Sequence, residues 1–136
     1  MNKTTTAVLY TSFNDIAVLI LRLAFGGMIL LHGLGKLSDL KNGTGNFPDP
    51  IGIGSTPSLI LVTFAEFGCS LFLMIGLLTR LALVPLICTM FVVVFIHEAH
   101  LEIGDKEPPI LFLIAFIGLF ISGPGKYSVD KRLFNR

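Results

Sequence analysis

Two ionisable side chains stand four residues apart in the segment LLHGLGKL, His32 and Lys36. Positions i and i+4 share a helix face. An imidazole beside an ammonium can hold an anion, donate to a carbonyl such as that of a quinone, or relay a proton. Glu66, in FAEFGCS, and His97, closing a later apolar run, extend the set. Counting ~1.5 Å per residue along each apolar run puts His32 and His97 at similar depth and Glu66 one or two turns deeper. The expected site is a polar pocket of His32, Lys36, Glu66 and His97. The competing reading is a set of interfacial polar residues satisfied by headgroups and water.

Arg22 and Glu66 form a second candidate. A charged side chain at the centre of a membrane helix costs roughly 2.5–3.5 kcal/mol on insertion scales, so each needs a partner. The same counting separates them by about 10 Å in depth, near their combined reach. A buried ion pair is expected, direct or bridged by water or Ser70. It either locks two helices together or takes part in proton or ligand handling.

Sharper motifs are set aside. HEAHLE lacks the His-x-x-x-His spacing of a zinc protease, because His97 and His100 are three apart, and no metal site is expected. A haem held by His32 and His97 is weakly supported. Cys69 and Cys88 do not form a C-x-x-C motif and read as two buried small residues.

The elements that carry these groups are apolar. Of 136 residues, 53% are hydrophobic and only 14% charged, against about a quarter charged in soluble domains. A net charge of +1 gives no support for a nucleic-acid partner. Four apolar stretches predict an all-α integral membrane four-helix bundle in one domain, 1–136. The spans fall at about 16–37, 58–79, 81–98 and 107–122, with an outer loop at 38–57 and a tail at 123–136. The first two fit the roughly 17–25 residues of a span, and the last two are short. One side collects Lys3, Arg80, Lys126, Lys131, Arg132 and Arg136; the other has Lys36, Lys41 and Lys106. The positive-inside rule then places both termini and the tail in the cytoplasm. No cleavable leader is evident, so the first span should act as its own insertion signal.

Helical periodicity groups Asp15, Arg22, Gly26, Ile29, Gly33 and Lys36 on one stripe of the first span, with His32 at its edge. Glycines permit close helix approach, so this stripe should face the bundle. Pro85 in the third span is either a first-turn proline or a kink. Pro108 and Pro109 suit the opening turn of the fourth, and SGPGKY should end it.

In order along the chain, RLAFGGMILLHGLGKL, FPDPIGIG, FAEFGCSLFLMIGLLTR, the histidine closing span three, and GPGKYSVD resemble the DoxX family. These are small bacterial and archaeal proteins with four membrane helices. The resemblance runs from about Ile16 to Leu133 and implies a multi-pass protein of the bacterial inner membrane. It places the family's polar positions at Arg22, His32, Lys36, Glu66, Arg80 and His97 without fixing roles. It further implies a subunit of a quinone-linked oxidoreductase or redox-defence complex, with quinone as the implied cofactor. The sequence shows no flavin, iron–sulfur or thioredoxin motif, so the electron carrier would lie in a partner. The alternative is a non-catalytic scaffold. Expected partners are the lipid bilayer and either other membrane subunits or further copies of the chain.

Overall fold

In hydrocarbon every backbone N–H and C=O must find a partner inside its own segment, and for a single apolar run the helix is the local solution. The computed structural model describes residues 2–43 and 46–134. Met1, Thr44, Gly45, Asn135 and Arg136 lie outside it, Arg136 of the basic count among them. Among the described residues all regular secondary structure is helical, with no strand. Three helices among the described residues are long and apolar enough to cross a membrane: α1, Lys3–Asn42; α2, Ser55–Ile75; and α3, Thr79–His97. A shorter apolar helix, α4, covers Glu107–Ser122, and a short α5 covers Val129–Phe134. Each long helix packs on its neighbours in sequence, and α4 closes the ring on α1.

α1 outruns its apolar stretch at both ends. Its 40 residues would span about 60 Å, twice the ~30 Å of hydrocarbon. Residues 3–11 are mostly exposed. The C-terminal extension takes up the start of the expected loop, and Gly43 ends the helix in the left-handed conformation, its N–H reaching the Asp39 carbonyl. Two wide turns interrupt the other spans, Phe64–Cys69 in α2 and Val93–His97 in α3. Such turns shift the register of everything beyond them. Pro85 sits inside α3, not in its first turn. Pro108 and Pro109 occupy the opening turn of α4, and Gly123, at φ 81°, ends it.

The buried face of α1 is Arg22, Gly26, Ile29 and Gly33, four members of the stripe read from the sequence. At Gly33 a Cβ would lie 2.5 Å from the Glu66 carbonyl carbon, and at Gly26 it would lie 2.7 Å from Met74 Cγ. Only glycine lets α2 come this close at Gly33. Between the helices Leu73, Leu83, Leu86, Phe116 and Leu119 are almost fully enclosed.

The expected Arg22–Glu66 pair is not formed. Gly33 is the α1 residue opposite Glu66. Arg22 lies eleven positions away, about 16 Å along the axis at ~1.5 Å per residue, whereas Lys36 lies one turn away. Glu66 therefore pairs with Lys36. Arg22, 1% exposed, donates instead to four backbone carbonyls. Nε reaches Leu73 at 3.0 Å and Nη2 reaches Met74 at 2.8 Å, at the C-terminal end of α2. Nη1 reaches Pro124 at 2.8 Å and Tyr127 at 3.0 Å, in the segment after α4. A helix C-terminus leaves carbonyls without intrahelical donors and carries partial negative charge, and a guanidinium suits both.

The same logic organises the rest of this end. Arg80 donates to the Phe120 and Ile121 carbonyls at the end of α4. Asp130 accepts the N–H groups of Leu78 and Thr79 at 2.7 and 2.9 Å, capping the start of α3. Asp15 accepts the Lys126 N–H at 3.0 Å. The GPGKYSVD segment is thus a plug of turns stitched to α1, α2 and α3. Arg22 and Arg80, two of the polar positions implied by the resemblance, hold this end and not the pocket end.

Candidate functional site

At the opposite end, beneath the long loop, the wide turn Phe64–Cys69 carries Glu66. The carboxylate meets Lys36, with Nζ 2.5 Å from Oε2. The Glu66 side chain is 4% exposed and that of Lys36 is 24% exposed. The close contact at Gly33 fixes the depth of Glu66 against α1, and Lys36, three residues on, lies over it.

This pair borders a cavity of about 710 Å³ that is also lined by His32 and His97. All four side chains expected to share a pocket therefore line one space. His32 is exposed, and its ring meets Phe112 of α4 edge-on, with centroids 6.2 Å apart. His97 closes the second wide turn and is exposed. The remaining walls are mainly apolar, supplied by all four helices and by the long loop. A few polar groups in a largely apolar cavity of this size is the usual composition of a small-molecule site.

The loop is a built cover. Phe47, Pro48, Pro50 and Ile51 line the cavity. Asp49 holds them in place. Its carboxylate accepts the Ile53 N–H at 2.9 Å, the Gly54 N–H at 2.7 Å and the Ser58 hydroxyl at 3.0 Å. The Ser55 hydroxyl donates to the Phe47 carbonyl at 2.8 Å. These bonds, the Gly54 N–H first, hold the Asp49 carboxyl below the usual carboxylate range.

The sequence reading missed several residues here. Glu98 and Asp105 add two carboxylates to the lining, and Oε2 of Glu98 is buried with no hydrogen-bond partner. Both lie in the acidic connection HEAHLEIGDKEPP, whose composition was the available signal. Cys88, expected to be buried, is exposed and lines the cavity, while Cys69 is buried; both thiols are free. Around Cys88 the sequence of α3 is apolar but for Thr89, and it does not mark which face Cys88 takes.

Chemically, the site offers an ammonium and a carboxylate already joined, two imidazoles nearer the rim, and aromatic and aliphatic walls. It can hydrogen-bond a carbonyl or hydroxyl, and it has groups that accept and release protons.

Comparison with known proteins agrees with a membrane chain of this kind. The family model described as DoxX matches residues 17–99. The inner membrane protein YqjF of Escherichia coli K12 is 29% identical over 125 residues, covering 88% of this chain and 93% of its own. The uncharacterized membrane protein Rv3486 of Mycobacterium tuberculosis H37Rv is 30% identical over 143 residues, covering 88% of this chain and 83% of its own. No solved structure matches this chain.

Proposed function

The chain belongs to the DoxX family, and from that premise we propose that it is a membrane subunit of a quinone-linked redox or redox-defence complex whose loop-end cavity receives the quinone head. The observation that carries this reading is the closed Lys36–Glu66 pair bordering a cavity of about 710 Å³. A ring of about ten heavy atoms with two carbonyls fits a space of the usual ligand-site size, roughly 300–1,000 Å³. The Phe112 ring supplies an aromatic wall and Lys36 a donor. A quinone takes up two electrons and two protons on reduction. In this protein, with the electrons supplied by a partner subunit, Lys36 would orient one carbonyl, Glu66 would hold a proton at Oε1 or Oε2, and His32 and His97 would pass protons in from the loop side to the quinone.

In this reading α4 completes a four-span protein of the bacterial inner membrane, with α5 and both termini in the cytoplasm. Support comes from the basic residues gathered at the tail end and from the likeness to an inner membrane protein. Reporter fusions at Asn42 and Asp105 should read as external, and fusions after Arg136 as cytoplasmic. An external C-terminus overturns the orientation.

Binding tests the site. His32→Leu and Glu66→Gln should each weaken a quinone analogue at least tenfold in detergent while insertion into the membrane is unchanged. Unchanged affinity in both leaves the cavity as packing. The second reading is a non-catalytic scaffold. It is favoured by Gly35 and Gly118, which face open space with nothing within 4 Å and would let a neighbouring helix approach closely. Recovery of a fixed membrane partner together with absence of quinone binding would decide for it.

A further inference from the structure

The cavity is not closed on its side. The loop-side stretch of α2, Ser55–Thr63, packs mainly on α1, and α2 meets α3 chiefly from its wide turn onward. A gap is left between the two helices at the level of the cavity, and its edges are legible in the lining. Leu61 and Phe64 on α2 are 55% and 59% exposed, Cys88 on α3 is exposed, and all three line the cavity. A residue that both lines a cavity and faces outward stands at its opening. Cys88 is the midpoint of Thr79–His97 and Phe64 lies one residue from the midpoint of Ser55–Ile75. Both helices are long and apolar enough to span a membrane, so this opening, well inside both of them, faces lipid. The other mouth, toward the loop, lies under the cover stapled by Asp49.

Charge narrows the ligand. The lining carries one lysine, already bound by Glu66, and two more carboxylates, Glu98 and Asp105. An anionic head would meet no unpaired lysine or arginine in this lining, which instead holds two further carboxyl groups.

We infer that the cavity is loaded sideways from the bilayer, through a portal framed by Leu61, Phe64 and Cys88, by a neutral-headed amphiphile whose apolar chain stays in the portal. This rests on the reading of the cavity as a ligand site. The head lies at the Lys36–Glu66 pair, and the chain passes out between α2 and α3 into lipid without crossing the covered loop end. Cys88 then marks the route of the chain and not the seat of the head.

The test uses the full chain in lipid nanodiscs. Cys88 is alkylated after folding with N-cyclohexylmaleimide, one adduct per chain by intact mass. Binding is measured for a decyl-substituted benzoquinone and for the same head without its chain. Alkylation should weaken the decyl compound at least tenfold and change the chainless head less than twofold. A Cys88→Trp variant should do the same without chemistry. Decyl sulfate, matched in chain but anionic in head, should compete at least tenfold less well than the decyl quinone. The inference is overturned if the decyl compound binds the Cys88→Trp variant, or any Cys88 adduct that forms, as well as it binds the unmodified protein, if both compounds are weakened alike, or if decyl sulfate competes as well. Failure of either quinone to bind the unmodified protein is a different result: it removes the ligand-site reading itself, and the portal with it.

Discussion

Removing Lys36 should cost more than removing its partner. The reason is the unequal burial of the pair: the Glu66 side chain is 4% exposed and the Lys36 side chain is 24% exposed. Lys36→Met strands a carboxylate in the bundle, and breaking a buried ion pair by deleting one member costs about 3–5 kcal/mol. The partial exposure of the lysine argues for the lower half of that range. Glu66→Gln keeps an acceptor, and the lysine stem can carry its ammonium toward the loop end. The loss is then that of a charge-assisted bond replaced by a weaker one, about 1–2 kcal/mol. The double variant Lys36→Met/Glu66→Gln leaves neither charge and should cost about as much as Glu66→Gln alone. Added singly, the two losses sum to about 4–6 kcal/mol, so the coupling between them should be about 3 kcal/mol. SDS-titrated unfolding of the four proteins in mixed micelles gives these differences. Losses that add to within about 0.5 kcal/mol, or a Glu66→Gln loss larger than that of Lys36→Met, refute the argument from unequal burial.

Three further outcomes are expected. Gly33→Ala should destabilise by about 1–3 kcal/mol, since its Cβ would lie 2.5 Å from the Glu66 carbonyl carbon, while Gly35→Ala, with open space around it, should be neutral or slightly stabilising in the same unfolding assay. Arg22→Met removes the donor to Pro124 and Tyr127; at about 1.5 kcal/mol for each charge-assisted bond, amide exchange over 124–130 should rise about a hundredfold, and an unchanged rate would detach the plug from Arg22. Asp49 is held below the usual carboxylate range, so its stabilisation of the cover is fully present above the unfolded value near ~3.9 and fades as pH falls through the lowered folded value; exchange at Ile53 and Gly54, corrected for intrinsic rates, should be flat from pH 8 to 5 and rise below about pH 4, and Asp49→Asn should abolish that pH step.

Much of the architecture could be read from the residues. The four apolar runs became helices, and the stripe of Arg22, Gly26, Ile29 and Gly33 became the buried face of α1. Gly123 ended α4 where the Gly-Pro-Gly segment required it. His32, Lys36, Glu66 and His97 line one cavity, because helical phase and approximate depth are enough to bring side chains to one end of a bundle. Pairing needs more. Depth counted from the middle of an apolar run assumes that all runs centre on one plane. α1 extends beyond its run at both ends, α2 and α3 each contain a wide turn, and Gly33 sets the register at Glu66. A shift of this kind exchanged Arg22 for Lys36 as the partner. The roles of Asp15, Asp49 and Asp130 rest on side chains that accept backbone N–H groups, some across more than fifty positions. No residue pattern announces an acceptor for a distant amide. Cys88 lay in the mostly apolar middle of α3, where periodicity carries little phase.

The central claim is that a quinone head is seated at the Lys36–Glu66 pair, and photo-cross-linking tests it most directly. A quinone analogue with a diazirine on its ring, added to the protein in nanodiscs and irradiated, should label residues 29–36 and 61–66 of α1 and α2. Labelling should saturate and be displaced by unlabelled quinone. Labels confined to the outer surfaces of the helices, rising linearly with concentration and insensitive to competitor, would contradict the account.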